Sequence, residues 1–277
     1  MPPNTERPAV GTCVADPVGV LLIGTSGYVY GAWRRRFYPA GLPLSRWLPY
    51  YAMHFPTVEL NNSFYRLPSV QAFRAWRDAA PRGFVFAVKA SRFLTHMKRL
   101  KDSQIHLRLF LERARHLGPA LGPVLFQLPP QFHANVERLD GFLHALDRQR
   151  LVPHLRSALE VRHASWLTRE VLTRLRRANV ALCLHDSTRQ PVDDGITADF
   201  VYVRRHGLGW KRYNNYPDER LREDATRIAA WRRSGRDVYV YFNNDERGYA
   251  VANARRLAEL TRASMRPSSR AVARAAS

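Results

Sequence analysis

Apolar and polar positions along the chain follow two alternating rhythms. Short runs rich in β-branched and aromatic residues recur at VLLIGTS (20–26), TVELNN (57–62), FVFAVKA (84–90), PVLFQL (123–128), ALEVRH (158–163), VALCLHD (180–186), FVYVRRH (200–206) and DVYVYFNN (237–244). These eight read as strands. Between them lie longer segments with apolar residues at helical spacing: SRWLPYYAMHF, SVQAFRAWRDAA, DSQIHLRLFLERARHL, NVERLDGFLHAL, LTREVLTRLRRAN, PDERLREDATRIAAWRR and GYAVANARRLAEL. Ser45, Ser69, Asp102 and Asn135 stand where helix N-caps belong. Only the connection after the sixth run, STRQPVDDGITAD, lacks a helical period.

Strands alternating with helical crossovers predict a parallel sheet covered on both faces. With eight such units the expected fold is a single (β/α)8 TIM-like barrel, its sixth crossover without a clear helix. An open doubly wound sheet is the alternative, but no Gly-x-Gly-x-x-Gly turn follows any strand. Residues 1–18 and the basic stretch 263–277 are aperiodic and read as disordered tails around a barrel domain at 19–262.

Strand side chains alternate between the helix layer and the barrel interior. Sending the apolar residues outward (Val58 and Leu60, Phe84, Phe86 and Val88, Leu159 and Val161) turns their neighbours inward. The inward set is Glu59, Asn61, Lys89, Gln127, Glu160, Arg162, Tyr202, Arg204, His206, Tyr239, Tyr241 and Asn243, with His185 or Asp186 joining according to register. A single interior ion pair such as Glu160–Arg204 would only hold the barrel closed. A whole ring of polar groups at the strand ends, each costing about 1–3 kcal/mol if left unpaired, implies a cavity for water and a ligand.

Composition narrows the setting. The formal net charge is +21, from 44 basic and 23 acidic residues. Only Lys89, Lys98, Lys101 and Lys211 are lysines, and the arginines are spread over every segment, so the excess fits a solvated surface as readily as a polyanion partner. The two cysteines, Cys13 and Cys183, cannot build a disulfide framework, and VGVLLIG is too short for a span or a signal core. A cytoplasmic setting and no membrane partner are expected. The LPP at 128–130 shapes the exit of the fourth strand, through a cis peptide or otherwise.

At these same strand ends VELNNSFYRLP, KASRFLTHMKRL, GPVLFQLPPQF, ALEVRHASW and YFNNDERGYAVANA closely resemble the YecE-like family, also called domain of unknown function 72. The resemblance covers about residues 20–262 and implies a TIM-like barrel without an established activity. Position by position it marks Glu59, Asn61, Phe64, Tyr65, Lys89, Arg92, Thr95, His96, Gln127, Pro129, Glu160, Arg162, His163, Trp166, Asn243 and Asn244. Asn62 departs from it, where the family more often has Ser or Thr.

Three kinds of function fit. In the first, Lys89, Arg162 and Arg204 hold an anionic small molecule, one bearing phosphate included, while Glu160 and Glu59 with His185 or His206 supply acid–base chemistry. Replacing Arg204 by methionine should then weaken binding and leave the fold intact, and Lys89, if desolvated, can also form a Schiff base. In the second, Glu59, Glu160, His185, Asp186 and His206 ligate a divalent metal, as in hydrolases resembling apurinic-endonuclease-type barrels, although no compact metal motif is present. In the third, loop aromatics Tyr28, Tyr30, Trp33, Trp210 and Tyr213 beside arginines bind nucleic acid without catalysis, a reading that calls for one continuous arginine stripe.

Overall fold

Each apolar run becomes a strand, and the sixth becomes two. The computed structural model describes residues 18–187, 191–207 and 214–264. Its strands are β1 (Leu21–Ser26), β2 (Thr57–Leu60), β3 (Val85–Lys89), β4 (Leu121–Gln127), β5 (Ser157–Glu160), β6 (Val180–Leu182), β7 (Leu184–His185), β8 (Phe200–Arg205) and β9 (Asp237–Phe242). All pair in parallel, in the order β6-β5-β4-β3-β2-β1-β9-β8-β7. The two end strands are consecutive in the chain and separated by Cys183 alone, whose N–H donates to Leu159 O at 2.9 Å. One side of that run pairs with β5 and the other with β8, so the sheet curls until its edges meet.

Around it stand α1 (Trp47–Ala52), α2 (Asn62–Tyr65), α3 (Val70–Ala79), α4 (Ser103–Ala114), α5 (Val136–Arg148), α6 (Arg169–Arg177), α7 (Asp218–Arg233) and α8 (Tyr249–Ser264). None of the described residues between β7 and β8 is helical, as the missing period implied. α8 runs on through Ser264, past the boundary drawn at 262 from the sequence. The remaining tail residues lie outside the described ones, as do Trp210 and Tyr213. No described helix is long and apolar enough to cross a membrane.

Two of the four expected caps form. Ser69 Oγ accepts from Ala72 N–H at 3.2 Å and Asn135 Oδ1 from Arg138 N–H at 2.8 Å. Ser45 instead sits inside a 3₁₀ turn (Leu44–Arg46) ahead of α1. Asp102 precedes α4 with φ at 52°, in the left-handed region, and its carboxylate faces Lys98 at 3.7 Å rather than a helix N–H. Its backbone shape suits glycine better than a capping aspartate. Every described peptide bond is trans, so the LPP segment has no cis proline.

The alternation expected from the sequence holds. Val58, Leu60, Phe86, Val88, Leu159 and Val161 pack into the helix layer, while Ala87, Leu125, Ala158, Ala181, Cys183, Phe200, Tyr202, Tyr239 and Tyr241 form a separate core inside the barrel. That interior is lopsided: β3, β5 and β6 contribute alanines, and β8 and β9 contribute the rings that fill the space. The tyrosines reach across rather than up. Tyr202 Oη donates to Glu59 Oε2 at 2.6 Å, and Tyr241 Oη meets Thr57 Oγ1 at 2.8 Å, so each of these buried hydroxyls has a partner on β2. Gly24 on β1 makes room for this: a Cβ there would stand 2.1 Å from Thr57 O. Below the tyrosines, Arg156 Nη1 donates to Asp237 Oδ2 and Tyr239 Oη, each at 2.6 Å, at the end of the barrel where the strands begin.

Candidate functional site

Above the tyrosine layer the strands end in polar residues. The strand register sets Glu59 beside Ser26, Glu160 beside Gln127, and Arg204 between His185 and Tyr241. A guanidinium rising from β8 therefore meets carboxylates from both halves of the barrel. Arg204 Nη2 donates to Glu59 Oε1 at 2.8 Å and to Ser26 Oγ at 3.0 Å, while Nη1 donates to Glu160 Oε2 at 2.7 Å. Glu59, Glu160 and Ser26 are wholly inaccessible and Arg204 is 1% exposed.

This clamp decides what the carboxylates can do. Ser26 Oγ donates to Glu59 Oε1, so Ser26 can only accept from Arg204 and from Asn61 Nδ2, the latter at 2.8 Å. Glu59 is thus held by Tyr202, Ser26 and Arg204 at once. The other oxygen of Glu160 accepts from Arg162 Nε and Nη2. Burial would raise the Glu160 pKa, but Arg204 and Arg162 outweigh it and hold the carboxyl well below its usual range. The group stays ionised near neutrality and has no proton to give as a general acid, and both of its oxygens already accept from arginines.

The two histidines differ. His185 is buried with Nε2–H donating to Val161 O at 2.9 Å and Nδ1 accepting from Ser187 N–H at 3.4 Å, so both ring nitrogens are used by backbone. Burial lowers its pKa, and the neutral ring acts as a structural brace. His206 faces the cavity. Arg162 Nη2, which can only donate, lies 3.0 Å from His206 Nε2, so that nitrogen accepts and the ring proton sits on Nδ1, 3.0 Å from the Asn243 amide. The Asn243 atom placed there is Nδ2, and because Nδ1–H needs an acceptor, the amide is assigned the opposite orientation, with its oxygen toward the ring. Burial first, then Arg204 and Arg162, holds the His206 pKa well below its ordinary value, so the ring is neutral at pH 7. Asp186 fixes its backbone, accepting from His206 N–H at 2.7 Å and from the Tyr216 hydroxyl.

Over this floor opens a cavity of about 500 Å³, lined by Lys89, Gln127, Arg162, Arg204, His206, Asn61 and Asn243 and roofed by Tyr28, Tyr30 and Tyr65. Lys89 differs from the arginines in lacking a partner. Among the described residues no carboxylate lies within salt-bridge distance of its Nζ, which rests over the Phe64 ring 4.0 Å from the centroid. Burial, reinforced by Arg204, pulls its pKa down to about 8. Beside it the His96 ring packs edge-on against Phe64 at 4.9 Å, and burial with Lys89 and Arg92 nearby lowers its pKa to about 4. The charges of the mouth are three cations, Lys89, Arg162 and Arg204, over two carboxylates, a net excess of one positive charge.

Not every residue singled out from the sequence comes to this cavity. Trp166 is buried outside the barrel, its Nε1–H donating to Phe132 O at 2.6 Å. His163 caps its own turn, with Nδ1 accepting from Ser165 N–H at 3.2 Å, and stacks on His133. Asn244 is buried, and its Nδ2 ties the connection between β8 and α7 to α8 by donating to Asn214 O and Asn253 Oδ1. Arg92 is exposed on the rim, Tyr202 and Glu59 lie beneath the cavity, and Trp33, expected as a surface aromatic, is 0% exposed. The five candidate metal ligands do not converge: among the described residues no group of three or more His, Cys, Asp or Glu could hold an ion. Cys183 touches the floor, and burial pushes its thiol pKa far up. Ser26 was missed, although the alternation in VLLIGTS that turns Leu22 and Gly24 inward also turns Ser26 inward.

Comparison with known proteins agrees with the fold. The family profile described as "Protein of unknown function DUF72" matches residues 22–276. The UPF0759 protein YunF of Bacillus subtilis (strain 168) is 26% identical over 258 residues, 80% of this chain and 89% of that one. The UPF0759 protein YecE of Escherichia coli (strain K12) is 30% identical over 119 residues, 43% of this chain and 42% of that one. The crystal structure of a DUF72 family protein, TM1631 of Thermotoga maritima, superposes with a TM-score of 0.71 at 27% identity, covering 88% of this chain and 99% of that one.

Proposed function

This chain belongs to the DUF72 family of proteins of unknown function, and on that premise we propose that its barrel mouth binds a small anionic molecule, such as a phosphate ester, and acts on it with Lys89 as the proton-carrying group. The observation that carries this reading is the partnerless Lys89 ammonium in a cavity whose carboxylates are already occupied. Arg204 serves the two glutamates. Arg162 Nε and Nη2 are engaged by Glu160 and His206, while Nη1 makes no hydrogen bond or ion pair with the described residues. An anion entering the mouth therefore meets one ammonium and one free guanidinium edge, each charge-assisted bond contributing about 1.5–3 kcal/mol. Neutral amides of Gln127 and Asn243 and the Tyr65 ring complete the lining. The size and concavity suit a small ligand.

A polyanion partner is less well supported. Exposed arginines occur on α3, α4, α5, α6, α7 and α8, an even scatter round the outer layer rather than one stripe. Calorimetric titration with inorganic phosphate, sugar phosphates and nucleotides tests the proposal. Lys89→Met should weaken the best of these by about tenfold or more, since tenfold requires only about 1.4 kcal/mol. Equal affinity in wild type and variant would overturn it.

A further inference from the structure

Lys89 has a second property that simple anion binding does not need: its amine is poised to react. Its Nζ lies in a cavity open to a small molecule, with no carboxylate among the described residues at salt-bridge distance; Glu160 and Glu59 favour its ammonium form from further away, but burial and the cationic Arg204 and Arg162 of the same cavity outweigh them. The Phe64 ring favours the ammonium by only about 0.5–1 kcal/mol. Burial acts the other way and more strongly, and with a pKa of about 8 roughly a tenth of the side chain is neutral at pH 7. Arg162 Nη1 offers an acidic group its own anchor, so the anion need not occupy Lys89 itself.

We propose that Lys89 is a nucleophile that forms an imine with the carbonyl carbon of a small aldehyde or ketone bearing an acidic group, that group resting on Arg162. This rests on the anion-binding reading of the same cavity. The neutral amine adds to the carbonyl carbon, the C–N bond forming as the C=O π pair moves to oxygen. One proton passes from that nitrogen to the oxygen, giving the neutral carbinolamine; a second proton, taken from solvent, lets the hydroxyl depart as water while the nitrogen lone pair closes the C=N bond, leaving the protonated imine. No oxidant or further reactant is required. The resulting iminium withdraws electrons from the adjacent carbon, which suits carbon–carbon bond cleavage or proton abstraction next to the former carbonyl.

The chain carries its own controls, because Lys98 and Lys101 lie on the surface of the same molecule. Wild-type protein is incubated with glyoxylate and cyanoborohydride, and carboxymethylated lysines are located by peptide mass spectrometry. At pH 7 Lys89 should be labelled roughly tenfold faster than Lys98 and Lys101, its larger neutral fraction outweighing its weaker nucleophilicity. Its rate should level off above about pH 8, and inorganic phosphate should protect it. Lys89→Arg should keep phosphate binding and lose the adduct; should that variant fail to fold, the comparison among wild-type lysines still decides. Phosphate binding with Lys89 labelled no faster than the surface lysines would overturn the imine and leave the anion reading standing. Labelling of Lys89 without any phosphate or glyoxylate affinity would sustain the nucleophile and overturn the anion reading. Neither binding nor selective labelling would overturn both.

Discussion

Arg204 carries the largest single consequence at the scale of residues. From the sequence it is a candidate ligand for an anion, and its loss should spare the fold. In the structure it is the counter-ion of two buried carboxylates, so removing it leaves Glu59 and Glu160 uncompensated in the barrel interior. Arg204→Met should therefore destabilise the protein by about 3–5 kcal/mol, read from the midpoint of urea unfolding at an unchanged slope. Lys89→Met should behave in the opposite way, within about 0.5 kcal/mol of wild type or slightly stabilising, because it removes an unpaired buried cation. If the two variants lose stability equally, the division between a structural floor and a binding wall is wrong. The inward direction of both side chains could be read from the alternation along their strands, with Val88 and Ala90 flanking Lys89 and Val201 and Val203 preceding Arg204. Which carboxylate each would meet could not, because partners on β2, β5 and β8 are set by closure of the sheet.

Among the elements, caps separate local from long-range determination. Ser69 and Asn135 cap because the N–H they need lies three residues ahead, within reach of any chain that starts a helix there. Ser69→Ala and Asn135→Ala should each cost about 1 kcal/mol, whereas Ser45→Ala should stay within about 0.5 kcal/mol, by thermal or urea unfolding. A cost at Ser45 matching that at Ser69 would contradict the observed turn. Asp102 fails as a cap for a tertiary reason: its positive φ turns the chain from the π-helical turn at Phe93–Met97 into α4, and that geometry leaves no early-turn N–H in front of the carboxylate. The sixth strand shows the same limit. VALCLHD reads as one run, and only its two neighbours, β5 and β8, divide it at Cys183.

The whole molecule should lose stability on mild acidification. His185 and His206 have folded pKa values lowered by burial, and His96 behaves likewise. Below the ordinary histidine pKa of about 6.5 the unfolded chain takes up protons that the folded chain refuses, so stability falls as pH drops, by about 1.4 kcal/mol per pH unit for each such group. Glu160, with its pKa depressed, adds its own loss at lower pH, once the unfolded carboxyl begins to protonate. Urea midpoints between pH 7 and pH 5 should fall steeply in wild type and less so in His206→Gln. A flat profile would mean the folded rings take up protons over the same pH range as the unfolded ones, against the burial-lowered pKa values. The segments 1–17 and 265–277, aperiodic in sequence, should be dispensable: deleting both should shift stability by no more than about 0.5 kcal/mol in the same assay.

What the sequence determined by itself was periodic. Alternation at period two and helical spacing gave the barrel, its eight β/α units, a sixth crossover with no helix among its described residues and the inward face of nearly every residue in the mouth, because these follow from backbone geometry repeated locally. The tertiary structure alone decided which inward groups neutralise one another. Glu160 became an ionised brace, His185 a backbone-bonded brace, and Lys89 the cation without a carboxylate partner among the described residues, because pairing across a closed barrel joins residues 24 (His185–Val161), 44 (Glu160–Arg204) and 145 (Glu59–Arg204) positions apart, and a local pattern does not encode those distances.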